Sequence, residues 1–267
     1  MDRGYVWFAL NNSKVDYIDL SKHLARSIKR YNKDNQVCII TNTEVNSKDF
    51  DKVIILENDY SKDEEWKLSN EWQVFNLTPF KHTIKLEADM LFTTNTDWWW
   101  NHLHQHNMVF SYNCRSYQDN IIKQTPYRKL FQVNDLPDVY NGLTYFRKSK
   151  QAQTFYNICK SITLNWEFVR DQILINCHDE TPSTDVVYAL AHKIQNPLQE
   201  GCIKYDWFNF MHNKNGVNGL SEAYINDQYL YTMRVSSPFE EIIYSGGYRQ
   251  SRLFHYHNKK IIEEFYE

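Results

Sequence analysis

Four apolar runs of strand length fall within the first hundred residues: YVWFAL at 5–10, VCIIT at 37–41, KVIIL at 52–56 and HTIKLEADMLF at 82–92. Runs this short, rich in β-branched and aromatic residues and bounded by polar segments, read as buried strands. Between the first two, YIDLSKHLARSIKRYN repeats Ile18, Leu20, Leu24, Ala25 and Ile28 at roughly helical spacing. A second helix is expected over KLSNEWQVFNLTPF, ending near Pro79, where the ring removes a backbone donor. Strands alternating with helices predict an α/β fold: a mixed, mainly parallel sheet flanked by helices. Later strands are expected at MVFSYNC and NGLTYFR, and later helices at SKQAQTFYNICKSITLNW and STDVVYALAHKI. No repeat or linker divides residues 1–267, so one domain is expected, mostly irregular from about residue 200.

Composition narrows the function classes. With 42% hydrophobic and 16% aromatic residues, 267 residues suffice for a large core. A formal charge of -3 supplies no global basic field for nucleic acid or an anionic membrane. Five scattered cysteines form neither a disulfide framework nor a zinc pattern, and no run is long enough for a membrane helix. The opening residues lack a signal-peptide pattern. A cytoplasmic protein without a membrane partner is therefore expected. Only seven glycines occur, in neither a Gly-x-Gly-x-x-Gly nor a P-loop pattern, which counts against dinucleotide dehydrogenases and P-loop enzymes.

Glu87 and Asp89 interrupt the fourth apolar run. Strand alternation places Lys85, Glu87 and Asp89 on one face and Ile84, Leu86, Ala88 and Met90 on the other. Two carboxylates together in a partly buried place require a cation or strong donors, and a divalent ion is the simplest compensation. In α/β sheets such sites gather beyond the carboxyl ends of the strands. The loop after the first strand, Ala9 to Ser13 with Asp16 and Tyr17, occupies an equivalent position. There Leu10, Asn11 and Asn12 could meet a base and ribose, with Tyr17 stacking on the base. The competing account is a plain turn for Asn-Asn-Ser and solvated acids at a strand end.

The order of these features resembles a known family. LTPFKHTIKLEADMLFTTNTDWW is similar to the segment of glycogenin-type glycosyltransferases (GT-A fold, glycosyltransferase family 8) in which an apolar strand runs into an Asp-x-Asp metal motif. WFALNNSKVDYIDLSKHLARSIKRYN resembles that family's first strand and helix, VYNGLTYFRKSKQAQTFY its Asn-Ser-Gly strand, and RLFHYHNKK its late histidine followed by lysine. The resemblance covers residues 5–195 in outline and the last fifteen or so in motif. Two departures are Glu87 at the first acid and Asn141-Gly142-Leu143 without the serine.

What the resemblance implies is a transferase that moves a sugar from a nucleoside-diphosphate sugar, a UDP-sugar by preference, to an acceptor hydroxyl. Its nucleotide-binding half would span about 1–100 and its acceptor half about 101–267. Mn²⁺ or Mg²⁺ would be held by Glu87, Asp89 and a late histidine. His257 is favoured over His255 for its spacing to Lys259 and Lys260, and Lys260 or Lys259 would approach the diphosphate. Ala9, Leu10, Asn11, Asn12, Tyr17, Lys67, Ala88, Asn141 and Gly142 would meet the donor. Asp185, in the first turn of the helix at STDVVYALA, is the candidate for acceptor binding or general base, with helix-dipole stabilisation as its structural alternative.

The acceptor is read from the long connection RSYQDNIIKQTPYRKLFQVNDLPDVY, where Arg115, Lys123, Arg128 and Lys129 interleave with aromatics. A saccharide or protein acceptor is expected. The alternative is a hydroxymethylated base of phage DNA, gripped through phosphates and stacked bases. Rival functions are a sugar nucleotidyltransferase, which would normally carry a glycine-rich basic loop after its first strand, and a non-catalytic carbohydrate-binding protein. Trp98 to Trp100 are expected to form a packing hinge with one indole at the surface.

Overall fold

The computed structural model describes residues 2–122, 128–196, 203–213, 231–237, 240–245, 247–256 and 259, with the backbone alone for 231–242. Strand β1 (Arg3–Ala9) leads into helix α1 (Tyr17–Tyr31), followed by β2 (Gln36–Thr41) and β3 (Lys52–Ile55). Asp16 caps α1 by accepting from the N–H groups of Ile18 and Asp19, which sets where the helix begins. A 3-10 segment, Lys67–Gln73, runs into α2 (Val74–Leu77), which stops before Pro79, as the sequence predicts. Next come β4 (His82–Lys85), β5 (Met90–Leu91), α3 (Trp99–Leu103), β6 (Met108–Ser111) and α4 (Lys129–Val133). β7 (Tyr140–Arg147), α5 (Lys150–Leu164), α6 (Trp166–Phe168) and α7 (Thr184–Gln195) complete the larger layer.

The main sheet has six strands in the order β3-β2-β1-β4-β7-β6. β3, β2, β1 and β4 are mutually parallel, whereas β7 runs antiparallel to both β4 and β6. Period-two alternation divides β1 between two cores: Val6 and Phe8 pack with α5 and α7, while Tyr5, Trp7 and Ala9 face α1. Each large side chain so buried contributes about 1.5–3 kcal/mol. The expected α/β sheet of mainly parallel strands is therefore present.

The region after residue 200, expected to be mostly irregular, instead supplies β8 (Phe210–Asn213), β9 (Tyr231–Ser237), β10 (Glu240–Ser245), β11 (Tyr248–Arg249) and β12 (Leu253–Tyr256). β12 lies between β5, antiparallel, and β8, parallel. The apolar run HTIKLEADMLF is thus two strands in two sheets, with Glu87 and Asp89 in the turn between them rather than along one strand. Lys85 does not share their setting: it is fully buried, 2.5 Å from the Glu71 carboxylate. Trp99 and Trp100 are buried and Trp98 is 43% exposed, the one surface indole expected of the three.

Candidate active site

The turn between β4 and β5 opens beyond the carboxyl end of the parallel strands. Leu86 N–H still bonds Val6 O at 2.9 Å, so the chain leaves the main sheet at Glu87. It is recaptured by β12, where Tyr256 N–H donates to Asp89 O at 3.1 Å. That pairing sets His255 opposite Met90 and aims its Nε2 at both acids, 3.3 Å from Glu87 Oε2 and 3.2 Å from Asp89 Oδ2. Among the described residues these three form a group whose ligand atoms all lie within 4.8 Å of one another. Neighbouring ligands about 2.1 Å from an octahedral ion sit about 3.0 Å apart, so two carboxylates and one imidazole here fit a hard divalent cation. Lys259 forms an ion pair with Asp89.

Burial works to raise the Asp89 carboxyl, but the Lys259 ammonium and the His255 imidazole overcome it and hold the group well below the usual carboxylate range. Burial, together with the negative charge of Asp89 and Glu87, pushes the Tyr17 phenol up to about 12. Gly142, near the start of β7, lets Glu87 and Met90 come close: a Cβ there would stand 3.0 Å from Glu87 Oε2 and from Met90 Cε.

A cleft of about 360 Å³ opens at this cluster and is lined as well by Phe8, Leu10, Asn12, Tyr17, Trp66, Lys67 and Leu68. A second chamber, about 70 Å³, adjoins the cluster beneath Trp66 and Leu68 and is lined by Asn141, Gly142, Ser183, Thr184, Asp185 and His212. The two spaces share Trp66, Leu68, Glu87 and His255.

Several expected residues thus come together: Leu10, Asn12, Tyr17, Lys67, Glu87, Ala88 and Asp89 line the cleft, and Asn141, Gly142 and Asp185 the chamber. Ala9 is fully buried within β1. Asn11 is spent on the turn, donating to Asp16 and accepting from Ile18 N–H. Asn12 also organises the turn, accepting from the N–H groups of Lys14 and Val15. Lys67 Nζ donates to the carbonyls of Ser61 at 2.6 Å and Lys62 at 3.0 Å. His255, the other late histidine, stands beside the acids; His257 and Lys260 lie outside the described residues, as do Lys123 and Tyr127.

Asp185 sits in the first turn of α7, but its carboxylate is engaged: Oδ1 accepts from Asn141 N–H at 2.8 Å and Oδ2 from Arg128 at 3.2 Å. Arg128, expected on an acceptor-gripping loop, is 3% exposed, with its guanidinium 3.6 Å from the Phe131 ring centroid and 4.1 Å from that of Tyr140. It binds Asp138, Asp185 and the Val139 carbonyl. Lys129 is exposed, and Arg115 donates to the Asp119 carbonyl at 3.2 Å. Residues the sequence reading missed are Trp66, whose only signal was its place beside Lys67, and Glu71, Asn213 and His212, for which no local pattern existed.

No protein-family model matches the chain, and no curated protein matches it by sequence. The solved structure of the glycosyltransferase GlyE of Streptococcus pneumoniae TIGR4 is similar over 77% of this chain and 46% of that one, at 11% identity and a TM-score of 0.43. The match thus spans less than half of that protein's length.

Proposed function

We propose that the protein is a metal-dependent glycosyltransferase of the GT-A kind, moving a sugar from a nucleoside-diphosphate sugar, a UDP-sugar by preference, to an acceptor hydroxyl. The observation that carries this reading is the group Glu87, Asp89 and His255, which lines a cleft and, through Glu87 and His255, an adjoining smaller chamber. The ordered resemblance of the surrounding segments to glycogenin-type enzymes supports it as well. When bound, Mn²⁺ or Mg²⁺ would act as a Lewis acid on the diphosphate oxygens.

The chain's own groups divide the remaining work. Asp89 stays ionised chiefly because the Lys259 ammonium holds it so, which keeps a charged ligand in place. Lys259, paired with Asp89, would bring positive charge to a diphosphate leaving from this centre. Tyr17 and the apolar wall of Phe8 and Leu10 offer the cleft to a planar base. The chamber beside Asn141 and Asp185 would take the sugar and the attacking hydroxyl. Cleavage of the bond from the anomeric carbon to the diphosphate oxygen leaves both electrons on the diphosphate, and the acceptor oxygen forms the new bond as its proton passes to an oxygen of that leaving diphosphate.

The acceptor is proposed to be a saccharide or protein hydroxyl. Of the described residues, Arg115 and Lys129 are those on which the phage-DNA alternative could rest, since Arg128 is committed to the interior.

Calorimetry with UDP and Mn²⁺, followed by a hydrolysis screen of nucleotide sugars, tests the proposal. Metal-dependent UDP binding and slow donor hydrolysis are expected. A protein that binds neither UDP nor another nucleoside diphosphate in the presence of Mn²⁺ or Mg²⁺ refutes it. Sugar binding without nucleotide binding would favour the carbohydrate-binding reading instead.

A further inference from the structure

We infer that His212 is a positioning residue of the metal centre, fixing the ring orientation and tautomer of His255; this rests on the metal site proposed above. His212 lies on β8 directly opposite His255 in the parallel pairing of β8 with β12. The two Nδ1 atoms are 2.9 Å apart, and both rings are buried, His212 at 4% and His255 at 9% exposure. Phe210 packs edge-on to both imidazoles, at 5.5 and 5.7 Å between centroids, and Tyr140 lies 5.8 Å from His212. Neither ring can swing away without disturbing that packing.

A hydrogen bond between two Nδ1 atoms requires one proton and one lone pair. If both carried protons they would repel, and if neither did there would be no bond. Two neutral arrangements satisfy the contact. In one, His255 Nδ1–H donates to His212, leaving the Nε2 lone pair of His255 directed at the space shared with Glu87 and Asp89. In the other, His212 Nδ1–H donates to His255, whose Nε2–H then points at the carboxylates. Only the first can ligate a cation. Passing from the second to the first removes a proton from His255 Nε2, moves one from His212 Nδ1 to His255 Nδ1, and adds one at His212 Nε2, so the charge of the pair is unchanged. A partner that can both accept and donate at this point serves both arrangements, and an imidazole does so without moving. A ligating histidine held through its other nitrogen is a more basic and better-oriented ligand, and loss of such a partner typically weakens metal binding about 10–100-fold.

The test uses the full chain with Mn²⁺ and no donor, so that metal affinity and not turnover is read. His212→Phe, which keeps an aromatic ring but removes Nδ1, is expected to weaken Mn²⁺ binding at least tenfold. His212→Asn, whose amide can offer an acceptor near the same point, is expected to recover most of the loss. In ¹⁵N-histidine-labelled wild-type protein saturated with Mg²⁺, a scalar coupling across the Nδ1–H···Nδ1 bond and an Nδ1–H tautomer at His255 are expected. Unchanged Mn²⁺ affinity in His212→Phe, no recovery in His212→Asn, or no coupling in the wild type overturns the inference. The wild-type measurement decides even where a variant fails to fold. If the wild type binds no divalent ion, the metal reading itself falls; if it binds Mn²⁺, and Asp89→Asn abolishes that binding while His212→Phe leaves it intact, only the role of His212 falls.

Discussion

Replacing Arg128 with leucine should be among the most destabilising single changes in the chain. The guanidinium lies between Phe131 and Tyr140, donates through Nε to Asp138 at 2.9 Å, and reaches the Val139 carbonyl at 2.9 Å and Asp185 at 3.2 Å. These partners do not weigh equally. Asp138 has a side chain 48% exposed, so water takes over when the arginine is gone, and the loss is about 1 kcal/mol or less. Asp185 is 13% exposed and keeps only part of its compensation through Asn141 N–H. Removing one partner of a buried pair costs about 3–5 kcal/mol. Leucine refills some of the contact with the two rings, so a net loss of about 3–4 kcal/mol is expected, or roughly 6–16 °C in melting temperature for a chain of this size. Arg128→Lys should fall between, because a lysine keeps the charge but cannot serve three acceptors from one plane. Thermal and urea unfolding of the three proteins is the measurement. An Arg128→Leu variant within about 0.5 kcal/mol of wild type would mean that the side chain behaves as a surface group, and the network would then hold nothing together.

Asp89→Asn should lower Mn²⁺ affinity at least about 100-fold by calorimetry with little change in the far-ultraviolet circular dichroism, since it removes a charged ligand and no apolar contact; unchanged affinity would remove the carboxylate pair from the metal site. Gly142→Ala places a methyl group 3.0 Å from Glu87 Oε2, so it should weaken Mn²⁺ binding severalfold while the protein stays folded, and an unaltered affinity would show that Glu87 can move aside at no cost. His192 carries a pH prediction: burial, helped by the positive charge of Lys204, lowers its imidazole to about 4 from an ordinary 6.5. The unfolded chain therefore takes up the proton first, so this contribution is complete above pH 6.5 and is lost as pH falls from 6.5 toward 4, by at most about 3 kcal/mol. His192→Gln should flatten that part of the stability profile, and parallel profiles for variant and wild type over pH 7.5–4.5 would refute the assignment.

The elements that the sequence displays openly are those whose pattern is local. β1, α1, β2, α5 and α7 each combine one hydrophobic period with a recognisable boundary, such as the Asp16 cap or the Ser149 side chain accepting from Ala152 N–H. What stayed hidden depends on partners distant in the chain. HTIKLEADMLF looks like one strand because both halves are buried and apolar, and no residue within it announces that Lys85 ends its pairing with β1 while Met90 begins pairing with β12. Lys85 itself, placed by alternation beside the two acids, is a core residue held by Glu71 from the 3-10 segment, an arrangement that no spacing rule reveals. Arg128 misleads in the same way: a basic residue among aromatics reads as a ligand contact until Asp185, 57 residues later, is found against it. The carboxylate pair at 87 and 89 was legible because its chemistry is written within three residues, whereas Trp66 and His212 join the site only through tertiary approach.

The late histidine shows how narrow that limit is. Alternation in RLFHYH sets His255 and His257 on the same face of a strand, so hydrophobic pattern and residue type treat them alike. The lysines that follow do not help, because a lysine can reach back over several residues. What brings His255 to the acids is register. With Phe254 opposite Leu91 and His255 opposite Met90, the ring beside the acids is that of His255, at 3.2 and 3.3 Å. A slip of one residue in the β5–β12 pairing would turn His255 to the other face of its strand and away from Glu87 and Asp89. The same alignment brings His255 against His212 on β8, so one register supplies both the imidazole beside the acids and the group that orients it.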